Sequence, residues 1–401
     1  MRSTRFLLCL LPLLLVACSS VRVMPEGQHV VRHDTGDSPA LVRNDRAHTQ
    51  DFPPAEEDGY RPPARLAVLL PLSGPLGAAG TSVRDGFLSA YYAETRTRPV
   101  VRFYDSAGTA VGAQAALTKA TSEAAQMIVG PLTREEVNAV LAQGDSNLPM
   151  IALNRGSRRP PPGTTSYALL PDEEGAAAAN RLADRQLSRV LIFSSPGDSA
   201  QRAVAAFRET LRQNAGSVVG EIAVSGDIAD FNSQLAGLQA SASPPQAVFL
   251  SLDAGQSRAV AAQLKISALA SLPRIATSQI LNGISSRGDN DLDGIEYPEL
   301  PWMLDQAGAL PASGPLGKSL PSARGPGQRL FAFGADAWKL AANFERLYND
   351  PSYSIHGATG VLQIDIAGPV HRTPAWAVFS GGRGRPAADT SRASDVRQPA
   401  H

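Results

Sequence analysis

A run of three glycines, at positions 74, 77 and 80, is the first feature of this sequence that could do chemistry. The glycines follow a predicted strand and open a predicted helix, as in a dinucleotide-binding turn, where Asp105 would bind the ribose. Their spacing is G-x-x-G-x-x-G rather than G-x-G-x-x-G, and Pro75 stands where the backbone must approach a phosphate. We therefore expect either a loop whose backbone N–H groups and Ser73 face a cleft, or a plain tight turn.

Two further segments suggest catalysis or metal binding, but each lacks a necessary part. A serine nucleophile at Ser199, in the segment G-D-S, needs a histidine base, and the region predicted to fold contains only His356 and His371. Residues 289–294 match the first half of a helix-loop-helix calcium loop, but Leu300 stands where a bidentate glutamate is required. The sequence therefore predicts no enzyme, no bound metal and no cofactor.

A larger set of polar and glycine residues stands at the predicted carboxyl ends of strands. In doubly wound parallel sheets, ligands bind outside those ends. We expect these residues to line a cleft, where they bind a small polar ligand or satisfy one another. The set comprises Ser73, Gly74, Asp105, Ser106, Asn154, Asp253 and Ser278.

Short apolar runs alternate with alanine-rich helical stretches between residues 65 and 277, which predicts parallel sheets built from βαβ units. Because the rhythm restarts near residue 170, we predict an α/β fold with two doubly wound lobes and a hinge of several crossings. The hinge would include Asp172, Asp293 and Pro298. The predicted division is a signal peptide (1–17), a lipidated Cys18 with a flexible tether (18–63), lobe one (64–170 and 298–352), lobe two (171–297 and 353–383) and a disordered tail (384–401).

The N-terminus has the pattern of a lipoprotein signal. Arg2 and Arg5 precede an apolar stretch that is too short for a membrane-spanning helix, which needs ~20 residues. The sequence L-V-A-C that ends at Cys18 resembles the lipobox of bacterial lipoproteins, in which the cysteine receives a lipid and becomes the new N-terminus. Ser19 follows in place of an aspartate that would resemble an inner-membrane retention signal. We therefore expect a lipid anchor on the periplasmic face of the outer membrane.

Charge and cysteine content limit the remaining possibilities. The formal net charge is zero, so nothing suggests a nucleic-acid-binding surface. Of the two cysteines, Cys9 lies in the signal and Cys18 is the predicted lipid site. The predicted mature chain therefore has no internal disulfide, and its stability must come from a hydrophobic core.

Several segments together resemble the type I periplasmic binding proteins and, among them, the penicillin-binding-protein activator lipoproteins of the LppC family. They are RLAVLLPLSGPLGAAGTSVRDGF at 65–87, IALN at 151–154, DLDGIEYPELPW at 291–302 and FAFGADAWKLAANFERL at 331–347. The resemblance implies a non-enzymatic outer-membrane lipoprotein that stimulates a bifunctional penicillin-binding protein, a peptidoglycan synthase. The best-known members carry a further N-terminal domain of helical repeats, for which residues 19–63 are too short and too polar.

Two functions follow as hypotheses. In the first, the protein is a tethered regulator that docks on a synthase and favours its active conformation, which requires a higher affinity for that conformation. In the second, it is a periplasmic receptor that closes on an amino acid, a peptide or a cell-wall fragment between its lobes.

Overall fold

The apolar runs and alanine-rich stretches form parallel strands and helices in the computed structural model, which describes residues 21–23, 52–144, 147–225, 230–281, 289–308, 310–365 and 368–388. Strands in this range are β1 (Val21–Val23), β2 (Arg65–Leu70), β3 (Val100–Asp105), β4 (Met127–Val129), β5 (Met150–Ala152), β6 (Thr164–Ser166), β7 (Arg189–Ser194), β8 (Ser217–Ala223), β9 (Ala247–Ser251), β10 (Arg274–Ala276), β11 (Ile295–Glu299), β12 (Ser354–His356), β13 (Val361–Ile364), β14 (Val370–Thr373), β15 (Ala375–Phe379) and β16 (Gly384–Pro386).

The α-helices of the described ranges lie mostly between consecutive strands. They are α1 (Gly77–Ala93), α2 (Ala110–Ser122), α3 (Arg134–Leu141), α4 (Pro171–Asp184), α5 (Asp198–Gln213), α6 (Asn232–Gln239), α7 (Ala254–Ile266), α8 (Ser313–Ser319), α9 (Gly327–Ala342) and α10 (Phe344–Asn349). Among the residues listed above, no helix is both long and apolar enough to cross a membrane.

The first sheet has the strand order β1-β3-β2-β4-β5-β6, and all its pairs are parallel except β1 with β3. Its central strand β2 is almost wholly apolar because helices cover both faces of the sheet. On one face, α1 and α9 pack through Phe87 and Trp338 against Val68. On the other face, α2 and α3 pack through Leu117 and Val140. These layers form lobe one.

The second sheet has the order β16-β15-β11-β10-β9-β7-β8 and forms lobe two. Strands β7 to β11 are parallel, and β15 and β16 add an antiparallel edge. Helices α4 and α5 cover one face, where Phe207 stacks on Phe249. Residues of α6 and α7, among them Leu235 and Val260, cover the other face. The predicted α/β fold with two doubly wound lobes is confirmed.

The carboxyl-terminal elements divide between the lobes differently from the prediction. Residues 353–373 were predicted in lobe two, but β12, β13 and β14 form a separate antiparallel sheet. Leu362, Ile364 and Val370 of that sheet belong to the core of lobe one. Strand β16 lies in the range predicted as a disordered tail, and its pairing with β15 extends lobe two to at least Ala387. Residues 389–401 lie outside the described ranges.

Part of the predicted tether also belongs to lobe one. Phe52 and Tyr60 are buried in its core, and the Tyr60 hydroxyl donates to the Thr97 carbonyl at 2.8 Å. Arg61 forms an ion pair with Glu345 of α10. The sequence prediction missed this contact because isolated aromatic residues among prolines show no apolar periodicity. Strand β1 pairs along the β3 edge, whereas Cys18 and residues 24–51 lie outside the described residues.

Candidate functional site

The chain passes between the lobes three times, and the first crossing ends in the first turn of α4. Residues 167–170 connect β6 of lobe one to α4 of lobe two. Pro171 occupies the first helical position, where the missing N–H costs nothing. Asp172, Glu173 and Glu174 follow, and their charges interact favourably with the helix dipole. Three acids therefore stand where the lobes meet.

Glu173 faces two arginines of lobe one. Its Oε1 lies 3.4 Å from Nη2 of Arg155, in the loop after β5, and its Oε2 lies 3.7 Å from Nε of Arg372 in β14. Only a tenth of the Glu173 side chain is exposed. Burial raises the pKa of Glu173 to about 7, although Arg372 and Arg155 oppose the rise. The first interlobe contact is therefore a buried carboxyl group between two guanidinium groups.

Glu174 and Glu299 share a third arginine from lobe one. Arg329 of α9 places Nη1 2.7 Å from Oε1 of Glu299 and Nη2 3.6 Å from Oε1 of Glu174. Burial raises the pKa of Glu299, and Arg329 acts against this rise. Glu174 also accepts hydrogen bonds from the backbone N–H and the hydroxyl of Ser278, at 2.8 and 2.6 Å. Arg329 thus joins lobe one to the ends of two elements of lobe two.

Asp336 of α9 fixes the segment that leads into β13. The carboxylate accepts backbone N–H groups of Ala358 and Thr359 and, at 2.6 Å, the Thr359 hydroxyl. The Tyr167 hydroxyl, in the first crossing, lies 2.7 Å from Oγ1 of Thr359 and 3.4 Å from Asp336. Burial raises the pKa of Asp336 in spite of these donors. The buried Asp336 carboxylate therefore holds both the first crossing and the segment that leads into β13.

Some of the predicted cleft residues contact one another. Asp105 Oδ1 accepts the backbone N–H groups of Leu72, Ser73 and Ala107 at 2.8 to 3.2 Å. Burial would raise the pKa of Asp105, but hydrogen bonds from the Ser73 side chain and from these amides lower it overall. Gly74 adopts a φ of +71°, as a tight turn requires. This loop is therefore held by its own hydrogen bonds.

The other predicted cleft residues are used separately. Ser106 is fully buried, and its hydroxyl has no hydrogen-bond partner among the described residues. Asn154 donates to the Leu132 carbonyl at 3.1 Å. Asp253 is the N-cap of α7, where it forms a capping box with Gln256. Within the described ranges, no hydrogen bond or ion pair connects the Ser73–Asp105 loop to Asn154, Asp253 or Ser278.

Two of the three predicted hinge residues lie near a crossing: Asp172 at the first, and Pro298 two residues before Leu300, where the chain crosses for the second time. Asp172 lies at the first crossing, but it pairs with Arg202 inside lobe two. Asp293 accepts backbone N–H groups of Gly381 and Gly382 in the turn between β15 and β16, at the end of β11 opposite the crossing. Pro298 lies within β11, where the pairing with β10 has already ended, so its missing N–H breaks no bond on that side.

The second and third crossings are short. The predicted lobe boundary before residue 298 lies close to the second crossing, whereas the sequence analysis missed the third. The second is at Leu300, directly after Glu299, and the third is at Pro374, between β14 and β15. The residues that pair across these crossings were also missed, although the run of acids after Pro171 was a signal of an unusual helix start. Their arginine partners come from distant parts of the chain, which no local pattern reveals.

Two cavities are lined by residues that were not predicted to line a cleft, apart from Asn154 in the first. One, of about 200 Å³, opens beside α3 and includes Asn154 in its lining. The other, of about 310 Å³, opens beside α4, where Arg181 lies over the Trp376 ring. The part of the chain that the structure describes contains no group of three or more His, Cys, Asp or Glu side chains that could hold a metal.

Comparison with known proteins gives a consistent result. Residues 59–382 match the family model described as "LppC putative lipoprotein". A relative from Haemophilus ducreyi, named penicillin-binding protein activator LpoA, is 28% identical over 333 residues, which are 79% of this chain and 53% of that protein. The chain therefore spans about half the length of such curated relatives.

Two solved structures show the same fold. The C-domain of LpoA from Haemophilus influenzae, described as a regulator of PBP1A, superposes with a TM-score of 0.69 at 24% identity over 81% of this chain and all of that domain. A "putative branched-chain amino acid ABC transporter" protein from Chromobacterium violaceum superposes with a TM-score of 0.65, also at 24% identity, over 79% of this chain and all of that one. The two lobes thus have the type I periplasmic binding protein fold.

The matched range contains most of both lobes and all three crossings, and the name of the family indicates a protein of the cell envelope. The chain belongs to the LppC family.

Proposed function

We propose that this chain binds a bifunctional penicillin-binding protein from the periplasmic face of the outer membrane and raises its peptidoglycan-synthesis activity without catalysing a reaction itself. The observation that carries the proposal is the family match, which runs through both lobes from residue 59 to residue 382. Curated relatives that align with about the same portion of this chain are named penicillin-binding protein activators.

The geometry is compatible with a binding module. The predicted cleft groups at strand ends are used separately: Asp105 closes its own loop, Asp253 caps α7, and Ser278 donates to Glu174. The lobes are joined by buried ion pairs of Arg329 and Arg372 with Glu299 and Glu173. A receptor for small solutes is therefore the less favoured function, because its recognition groups should converge on a common space.

Anchoring by Cys18 would restrict the search for a partner to the space near the membrane. A tethered domain meets a nearby partner at a raised effective concentration. Replacing Cys18 with serine should release the protein from the outer-membrane fraction while leaving its fold unchanged. Membrane fractionation with labelling by a radioactive fatty acid measures both the position and the lipid, and retention of the variant in that fraction would contradict the anchor.

The activator function is tested with the full-length chain in detergent and the purified bifunctional penicillin-binding proteins of the same organism. Saturable binding together with a faster rate of glycan polymerisation or peptide cross-linking is the expected result. Absence of binding to every such synthase would overturn the proposal. Binding without any change in either rate would limit the protein to a passive partner.

A further inference from the structure

We propose that the cavity beside α3 and the arginines at its rim form a docking surface for an acidic segment of a partner protein that inserts one apolar side chain. The inference rests on the proposed function for the identity of that partner, a peptidoglycan synthase. We call this surface the α3 pocket. It comprises Val137 and Leu141 of α3, Ala152 of β5, and Arg155, Arg158 and Pro160 of the following loop.

The interior of the α3 pocket is suited to one apolar side chain. Its volume is about 200 Å³, and Val137, Leu141, Ala152 and Pro160 supply aliphatic lining. Pro369, from the segment before β14, closes one side. Burying a leucine or phenylalanine side chain of a partner here removes apolar surface from water, which favours association. An apolar pocket of this kind anchors a partner more strongly than a flat surface does.

The rim of the pocket is positively charged. Arg158 and Arg159 are exposed, and neither pairs with a carboxylate among the described residues. Arg134, in the first turn of α3, is also exposed and donates from Nε to the Arg155 carbonyl at 3.4 Å. The same helix turn contributes two acids, the exposed Glu135 and the fully buried Glu136, whose Oε2 accepts the Thr133 N–H. The exposed arginines at the rim therefore outnumber the one exposed acid of this turn. A partner segment in which carboxylates flank an apolar residue would complement this positive charge.

The loop that carries the arginines is held in place before any partner binds. The Asn138 side-chain oxygen accepts both the backbone N–H and the hydroxyl of Ser157, at 2.7 and 3.0 Å. At the far end of the loop, Gly163 donates its N–H to the Tyr348 hydroxyl at 2.8 Å. Prolines at 160, 161 and 162 restrict the backbone between them. A rigid surface loses less entropy on association, which favours affinity.

The α3 pocket is also connected to the hinge. Arg155 lines the pocket and lies 3.4 Å from Glu173 of α4. A partner carboxylate near Arg155 would compete with Glu173 for the same guanidinium group. Docking at the pocket could in this way change the contact between the lobes, with no ligand between them.

The test compares two charge-reversed variants of the full-length chain. The rim variant, Arg158→Glu with Arg159→Glu, reverses the charge at the rim of the α3 pocket. Arg383→Glu with Arg385→Glu makes the same change of net charge on exposed arginines of lobe two. We expect the rim variant to bind the synthase on the order of tenfold more weakly, with a loss that shrinks in high salt, and the control variant to bind like the wild type. Equal binding by all three proteins would overturn the docking surface and leave the activator function intact.

A third variant separates apolar insertion from charge attraction. Leu141→Lys removes apolar lining and adds a positive charge at the pocket. Weaker synthase binding supports insertion of an apolar side chain, whereas stronger binding would show that charge alone acts and would overturn the pocket. Thermal unfolding of each variant checks that its fold is retained.

Two further probes distinguish failure of this inference from failure of the activator function. If the wild type binds no synthase, a fluorescent peptide of glutamates around one phenylalanine still tests the surface. Binding that is lost in the rim variant, and in a peptide with serine in place of phenylalanine, supports the pocket with another partner; no binding overturns it. Binding to phosphatidylglycerol vesicles that falls in the rim variant, without peptide binding, would assign the arginines to a membrane instead.

Discussion

At the scale of single residues, Asp336 is a fully buried carboxylate that accepts two backbone N–H groups of the segment before β13. Asp336→Ala would leave the N–H groups of Ala358 and Thr359 buried without acceptors. Each such group costs about 1–3 kcal/mol, so we expect the free energy of unfolding to fall by roughly 3 kcal/mol or more. Denaturation in urea, followed by circular dichroism, measures this loss.

The control for Asp336 is an aspartate of the surface. The Asp198 side chain is 86% exposed, and its ion pair with Arg202 is long, at 3.9 Å. Asp198→Ala should change the free energy of unfolding by about 0.5 kcal/mol or less. Similar losses for the two variants would mean that the Asp336 contacts contribute little.

Glu173 should make stability depend on pH. Its pKa is about 7 in the folded protein, above the ordinary value of 4.5, because burial disfavours the charged form. As pH rises from about 4.5 to about 7, the unfolded chain loses this proton before the folded chain does, so the group's contribution to stability declines. In Glu173→Gln this part of the decline should be absent. Urea denaturation across that pH range measures the difference, and identical slopes for variant and wild type would contradict the raised pKa.

At the scale of elements, two glycines set how closely α1 and α9 approach. A Cβ on Gly86 of α1 would overlap the Phe331 carbonyl oxygen, and a Cβ on Gly334 of α9 would overlap the Val83 carbonyl oxygen. Gly334→Ala must therefore push the helices apart, and we expect a loss of at least ~2 kcal/mol in the free energy of unfolding, despite the better helix propensity of alanine. Thermal and urea unfolding measure it.

A glycine-to-alanine substitution in another helix should instead raise the free energy of unfolding. Gly237 lies in α6, and apart from its chain neighbours and the backbone of its own helix, no atom of the described residues lies within 4 Å of an added Cβ. Gly237→Ala should stabilise the protein by about 0.5–1 kcal/mol, because only the conformational preference of the helix changes. A loss at both positions would indicate that backbone geometry, rather than the contact between α1 and α9, decides the effect.

The elements were predictable where they have a strong local pattern. The apolar run at 65–71 predicts β2, and the acids after Pro171 mark the start of α4. Strand β11 was instead predicted as part of a crossing, since Pro298 and two acids obscure its pattern. Its partners β10 and β15 are distant in sequence, and only their pairing explains why a proline is tolerated there.

For the whole molecule, the two lobes and the family could be predicted from sequence, because each lobe repeats the alternation of strands and helices. The lobe to which residues 353–373 belong could not be predicted. These residues form a short antiparallel sheet, and the lobe on which it packs depends on its apolar face and not on its order in the chain. The contacts that hold the hinge could not be predicted either. Its ion pairs join Arg329 to Glu174 and Arg372 to Glu173, which only the folded chain brings together.

Arg329 is the residue that should most affect how the two lobes stay joined. It lies 2.7 Å from Glu299, whose carboxyl group is buried, and Arg329→Met would leave that group without its cation. We expect a loss of roughly 3–5 kcal/mol in the free energy of unfolding, of which Arg329→Met with Glu299→Gln should recover a part, because the unpaired charge is then gone. Arg212→Met, in an exposed pair with Glu209, should cost about 0.5 kcal/mol or less. Urea denaturation of the four proteins decides between these outcomes: if the double variant is as unstable as Arg329→Met, the arginine stabilises the hinge through packing and not through its charge.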